Sequence, residues 1–208
     1  MLKNIIIVTS KSNIDLSIFN NENNYIIGVE RGCLDLIEKN IKIDLAISDF
    51  DQVLDKELEL IKSKAIKFSK MSSEKDYLDG EIAILEAKKI SDLANIIFIA
   101  NATKRYDMNL SIINMIFKYE NLKFINDSSV IFKINSGITE LEFSDFKVYT
   151  YISLFSKVEA TLSLKGLKYE CKNLKLLPLE NTCISNALVL NKNPIIETSE
   201  QLVLIATR

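Results

Sequence analysis

Histidine is absent from all 208 residues. Its absence removes Ser-His-Asp and Cys-His nucleophilic catalysis, HExxH zinc chemistry and any imidazole general base. Chemistry on this chain must run on carboxylates, lysine, arginine, hydroxyls and a hard metal ion. Cysteine is nearly absent too: the three residues Cys33, Cys171 and Cys183 are odd in number and widely spaced. They suggest neither a disulfide framework nor a zinc site, and small buried hydrophobes are the expected role. No excess of one charge exists, because 26 basic residues meet 28 acidic ones for a formal net charge of -2. The chain therefore has no global basic field for nucleic acid or an anionic membrane, and neither is expected as a partner. No apolar run approaches the roughly 20 residues needed to span a bilayer. The opening Ile5-Ile6-Ile7-Val8 reads as a buried first strand, not as the apolar region of a signal peptide, so the cytoplasm is the expected location.

What is present is ordinary globular composition, 48% hydrophobic and 26% charged. The first half alternates short apolar runs with amphipathic stretches. Strands are expected at Lys3–Val8, Asn24–Val29, Ile43–Ile47, Ala65–Phe68, Ile96–Ala100 and Leu122–Asn126. Helices are expected at Arg31–Asn40, Asp55–Ser63, Asp76–Ile90 and Asp107–Tyr119, from apolar residues three and four apart. Such alternation predicts a mostly parallel sheet covered on both faces, a three-layer α/β domain. After about residue 130 the helical period disappears. Val130–Ile134, Thr139–Phe143, Lys147–Leu154, Val158–Leu164 and Gln201–Ala206 read as strands, separated by turn residues such as Asn135-Ser136-Gly137 and Lys165-Gly166. The expected organisation is an α/β domain over 1–129 and an all-β sandwich or barrel over 130–208.

Two acidic motifs stand out. Ser48-Asp49-Phe50-Asp51 follows an apolar strand, and ligands of parallel α/β sheets sit outside the carboxyl ends of strands. An extended backbone would point Asp49 and Asp51 to one side. The second motif, Glu74-Lys75-Asp76-Tyr77-Leu78-Asp79-Gly80-Glu81, opens the strongest helix, where Asp76 and Asp79 would share a face. Each alone has a plainer reading, as an N-cap or a polar loop. Together, and without histidine, they point to Mg²⁺, which takes oxygen ligands and is held by one or two carboxylates plus substrate phosphates.

At these residues the chain resembles the thiamine pyrophosphokinase family. Bacterial members carry G-V-D-R-G, P-D-x-x-x-G-D-F-D-S, E-K-D-x-T-D-x-E-x-A, G-G-R-x-D-H and a late G-x-x-Y-x-L followed by S-N-E. Here the corresponding segments are Gly28-Val29-Glu30-Arg31-Gly32, Ile43-Asp44-Leu45-Ala46-Ile47-Ser48-Asp49-Phe50-Asp51-Gln52, Glu74 to Ala83, Lys104-Arg105-Tyr106-Asp107-Met108, Gly166-Leu167-Lys168-Tyr169 and Ser185-Asn186-Ala187. The resemblance implies a transferase that passes diphosphate from ATP to the hydroxyl of thiamine, releasing AMP, and a homodimer. By position it implies magnesium on Asp49, Asp51 and Asp79, with Asp76 close by. Arg31, Gly32, Lys75 and Arg105 would serve the nucleotide and its phosphates. Asp107, Ser185 and Asn186 would serve thiamine. Asp76 or Asp107 would take the hydroxyl proton.

Several positions depart from the family. Glu30 stands for aspartate, Ser48 for glycine, Gln52 for serine, Leu78 for threonine, Met108 for histidine and Ala187 for glutamate, and the glycines usual near 100–104 are replaced. The proposed metal acids remain, and the changes cluster where substrate and nucleotide would sit. Three other readings stay open: a diphosphotransferase for another hydroxymethyl heterocycle such as a pterin, a magnesium-dependent nucleotide hydrolase, and a thiamine- or nucleotide-binding module without turnover.

Overall fold

The computed structural model describes residues 2–73 and 76–208. The chain divides into two compact units, Met1–Ser111 with Asn121–Asp127, and Ile112–Glu120 with Ser128–Arg208.

The first unit contains β1 (Asn4–Val8), β2 (Asn24–Gly28), α1 (Gly32–Glu38), β3 (Ile43–Ser48), α2 (Asp55–Lys64), β4 (Ala65–Lys70), α3 (Asp79–Ile90) and β5 (Asn95–Ile99). Next come α4 (Tyr106–Lys118), inside which the division falls, and β6 (Leu122–Ile125). Its strands run in the order β6-β5-β1-β2-β3-β4, and every pairing is parallel. Parallel strands need crossovers, and helices supply them here, so both sheet faces are covered. Hence β1 is apolar on both sides: Ile6 and Val8 pack into the cluster holding Cys33 and Leu36 of α1 and Ile61 of α2, while Ile5 and Ile7 are equally buried. On the second face α3 approaches the sheet so closely that a Cβ at Gly80 would lie 2.7 Å from the ring of Phe98 in β5.

The second unit holds two antiparallel sheets in a sandwich. Its elements are β7 (Ser129–Ile134), β8 (Gly137–Glu140), α5 (Phe143–Phe146), β9 (Tyr151–Ser156), β10 (Ala160–Lys165), β11 (Cys171–Leu176), β12 (Asn186–Ala187), β13 (Ile195–Thr198) and β14 (Leu202–Thr207). One sheet runs β12-β9-β14-β7 and the other β11-β10-β13-β8. Inward Ala160, Leu162 and Leu164 alternate with more exposed neighbours along β10, the pattern of a strand with one face in a core. Among the described residues, no helix is long and apolar enough to cross a membrane.

The α/β-plus-β class agrees with the expectation from period and turn chemistry, and three details differ. Helix α3 begins at Asp79 and not at Asp76, because Leu78 is extended at φ -64° and ψ 148°. Leu78 is 38% exposed and serves as the N-cap. Asp76 and Asp79 therefore do not share a helical face. The strands expected at Thr139–Phe143 and Lys147–Leu154 give way in part to a short helix at Phe143–Phe146, with β8 ending at Glu140 and β9 starting at Tyr151. Strands β11, β12 and β13 lie outside the expected strands: β11, Cys-Lys-Asn-Leu-Lys-Leu, is a largely exposed edge strand whose lysines mask any period of two.

Candidate active site

The strand-to-helix junctions of the first unit set the site. After β2 the chain turns at Glu30, which has φ 50°, and after β3 it turns at Phe50, with φ 56°. Left-handed backbone costs a residue with a Cβ about 1–2 kcal/mol, so packing must hold both turns. Phe50 is held in the core, 4% exposed and stacked on Phe68 of β4 with ring centroids 4.9 Å apart. Burying that ring leaves its flanking acids at the rim, with Asp49 half-buried and Asp51 exposed. Asp51 N–H donates to Asp49 Oδ1 at 3.3 Å, closing a tight turn.

Glu30, Asp49 and Asp79 each bring a carboxylate oxygen to a common position, all within 4.8 Å of one another. The three come from the carboxyl ends of β2 and β3 and from the first residue of α3. Glu30 is 6% exposed. Its carboxylate accepts from the Ser48 hydroxyl and from Gln52 N–H at 3.2 Å. Burial nevertheless pushes the Glu30 carboxyl above its ordinary range, and the adjacent Asp49 adds to the rise. Converging acids, one of them buried, carry an electrostatic cost that a divalent cation would offset, and an all-oxygen donor set suits Mg²⁺. The residues present therefore fit that ion.

Among the residues marked by the sequence motifs, Asp49 and Asp79 are brought together, and Glu30 joins them. Asp51 lies beside this group in the same turn, and Asp76 is exposed in the bend before α3. Lys75, with Glu74, lies outside the described residues. Arg31 precedes α1, donates to Gln52 O at 3.1 Å and pairs with Glu57 at 3.5 Å, which ties it to the turn after Asp51. Gly32 is buried against the end of β1. Arg105 and Asp107 pair with each other at the start of α4, Arg105 Nε donating to Asp107 Oδ1 at 3.2 Å. That hydrogen bond holds the Asp107 carboxyl below its ordinary range.

In the second unit, Ser185 is exposed at φ 59° and its N–H donates to Ser153 Oγ at 3.1 Å. Asn186 is buried and spends its amide on the backbone of Tyr169, accepting from N–H at 2.9 Å and donating to the carbonyl at 2.8 Å. It thereby fixes the Gly166–Tyr169 turn beside β12. Two of these motifs, distant in sequence, thus form one local structure.

Glu30 joins this group although the sequence motifs mark it only as a departure from aspartate. Its place at the carboxyl end of a parallel strand, beside the strand leading to Asp49, was the available signal.

Comparison with known proteins places the chain in a family. Residues 16–126 match the family model for the thiamin pyrophosphokinase catalytic domain, and residues 138–203 match that for the thiamin pyrophosphokinase vitamin B1 binding domain. Thiamine pyrophosphokinase of Bacillus subtilis is 29% identical over 180 residues, covering 84% of this chain and 83% of that protein. Among solved structures, a thiamin pyrophosphokinase family protein from Enterococcus faecalis superposes with a TM-score of 0.86 at 19% identity, covering 99% of each chain. Thiamin pyrophosphokinase from Candida albicans superposes with a TM-score of 0.85 at 19% identity, covering 99% of this chain and 89% of that one. At such identities the superpositions speak for the fold alone.

Proposed function

The chain belongs to the thiamin pyrophosphokinase family, and from that premise we propose how its residues divide the work of moving diphosphate from ATP to thiamine. The enzyme is a transferase whose products are thiamine diphosphate and AMP. Residues 1–129 serve as the catalytic, nucleotide-binding domain and residues 130–208 as the thiamine-binding and dimerisation domain. The convergence of Glu30, Asp49 and Asp79 carries the reading. Asp49, Asp79 and Glu30 would hold Mg²⁺, and Asp51 would offer a further oxygen to the ion or its waters. When bound there, the ion neutralises charge on phosphate oxygens.

Transfer of this kind needs positioning and charge neutralisation more than covalent catalysis. Arg31, Lys75 and Arg105 supply positive charge for the nucleotide phosphates, and Gly32 lets the chain pass close to the end of β1. Asp107 orients the thiamine pyrimidine. Ser185 offers an exposed hydroxyl to thiamine, and Asn186 holds the Gly166–Tyr169 turn in shape. Asp76 or Asp107 accepts the proton of the attacking hydroxyl, which then bonds to the β-phosphorus as AMP departs. Arg105 and Asp107 neutralise each other in the structure, so engaging ATP and thiamine exchanges one exposed, solvent-screened ion pair for two substrate contacts. A cytoplasmic homodimer completes the proposal, on family resemblance.

The test is product analysis. With ATP, Mg²⁺ and thiamine, thiamine diphosphate and AMP should accumulate in equal amounts, and chelation of the metal should stop both. AMP formed without thiamine would indicate a hydrolase instead. A pterin converted in preference to thiamine would move the acceptor assignment to another heterocycle.

A further inference from the structure

Three loops at the carboxyl ends of β1, β5 and β6 are joined through one carboxylate. Asp127 Oδ1 accepts from Asn13 N–H at 2.8 Å, and Oδ2 accepts from Asn13 Nδ2 at 2.8 Å and from Asn101 Nδ2 at 3.0 Å. Asp127 N–H donates back to Asn101 Oδ1 at 3.1 Å. Asn101 is also fixed to the loop after β1, its N–H donating to Ser10 Oγ at 2.9 Å and its Nδ2 to Lys11 O at 2.9 Å.

The location matters as much as the bonds. From β1 the chain winds outward through β2, β3 and β4, then returns to place β5 and β6 on the opposite side of β1. The topological switch point therefore lies between β1 and β5, where open parallel sheets bind their ligands. Asn101 begins the segment that ends at Arg105. Within it, Thr103 N–H donates to Asn109 Oδ1 at 3.1 Å, and Arg105 N–H donates to Thr103 Oγ1 at 3.0 Å. Asp127 thus fixes the start of the 101–105 loop through Asn101, and Thr103 fixes its end at Arg105, the two joined by the short backbone through Ala102. None of the joined residues belongs to the buried apolar core, so the network orders loops outside the strand ends and adds little to the packing of the sheet.

We propose that Asp127 is a positioning residue for ATP, holding the 101–105 loop through Asn101 so that Arg105 meets the phosphates of the nucleotide. The proposal rests on the assignment of Arg105 to those phosphates. Loosening a positioned cation weakens the ground-state and transition-state contacts it makes alike, which raises KM and leaves kcat nearly unchanged.

The experiment is steady-state kinetics on the full chain with ATP varied at saturating thiamine, for Asp127→Ala, Arg105→Ala and the double variant. The KM for ATP should rise about 10-fold in Asp127→Ala, with kcat and the KM for thiamine within about twofold of the parent. The double variant should be no worse than Arg105→Ala alone, because the two act in one path. Asn101→Ala cuts the same link while leaving the bonds between Asp127 and Asn13, and it should reproduce the rise if Asp127→Ala folds poorly. A raised KM in Arg105→Ala alongside unchanged values in both Asp127→Ala and Asn101→Ala would overturn this inference alone. An unchanged KM in Arg105→Ala would overturn it together with the assignment of Arg105. A fall in kcat that tracks lost folded protein, with KM constant, would reduce Asp127 to a structural brace.

Discussion

Asp49→Asn is expected to lower magnesium-dependent formation of thiamine diphosphate by at least roughly 10²-fold while leaving the fold intact. The substitution keeps the shape of the side chain and removes one of the negative charges that converge with Glu30 and Asp79. Partners that only orient a metal ligand already cost about 10–100-fold when removed, and a ligand should cost more. Folding should tolerate the change, because Asp49 is half-buried at the rim and the turn is held by the buried ring of Phe50. The metal-free protein should even lose some repulsion between Asp49 and Glu30, the same proximity that raises the Glu30 carboxyl. Asp92→Asn is the matched control, an exposed acid paired with Lys88 and placed just past the end of α3 opposite to the one that Asp79 begins. Initial rates of thiamine diphosphate formation and thermal midpoints, measured for the same preparations, separate lost catalysis from lost fold.

Gly32→Ala should have the opposite profile, a large loss of stability that precedes any question of catalysis. A Cβ at this position would lie 2.0 Å from the carbonyl oxygen of Val8, 2.4 Å from its carbonyl carbon and 2.7 Å from the Thr9 nitrogen. All three are backbone atoms at the end of the central strand, so no side chain can swing aside. Relief requires α1 to move away from β1, which would open the packing of Cys33 and Leu36 against Ile6 and Val8. Overpacking of this kind costs about 1–3 kcal/mol and occasionally more. For a chain of this length about 3 kcal/mol corresponds to a fall of roughly 6–12 °C in thermal midpoint. Gly137 gives a useful contrast: at φ 108° it has nothing within 4 Å of a built Cβ. Alanine there pays only for backbone conformation, about 1–2 kcal/mol. Thermal unfolding of both variants checks the ranking. A Gly32→Ala protein as stable as the parent would mean that α1 does not pack this closely.

The acids on which the first prediction depends show what could be read from sequence and what could not. The strand leading to Asp49 was legible, because Ile43 to Ile47 form a short apolar run between turn residues. The α/β-then-β order was legible for the same reason, a change of hydrophobic period near residue 130. Alternation along an extended chain, however, assigned Asp49 and Asp51 to one side, and it fails at Phe50. That residue is driven into the core by its ring and held at φ 56°, which only packing could reveal. Glu30 posed the converse problem. Its own local sequence, Gly-Val-Glu-Arg-Gly, does not single it out, and its place beside Asp49 follows from parallel pairing of β2 with β3, which sets the two strand ends side by side. The bonds between Asp127, Asn13 and Asn101 were invisible for a related reason, since they join residues 26 and 114 positions apart in the chain.

The central claim is that Glu30, Asp49 and Asp79 hold a divalent cation at the ends of β2 and β3 and the start of α3. Mn²⁺ accepts the same oxygen ligands as Mg²⁺ and is visible by electron paramagnetic resonance, so titration of the full chain with Mn²⁺ tests it most directly. The account predicts one tightly bound ion per chain, lost in Asp49→Asn and Asp79→Asn and retained in Asp92→Asn. Binding in Asp49→Asn and Asp79→Asn indistinguishable from the parent would contradict it.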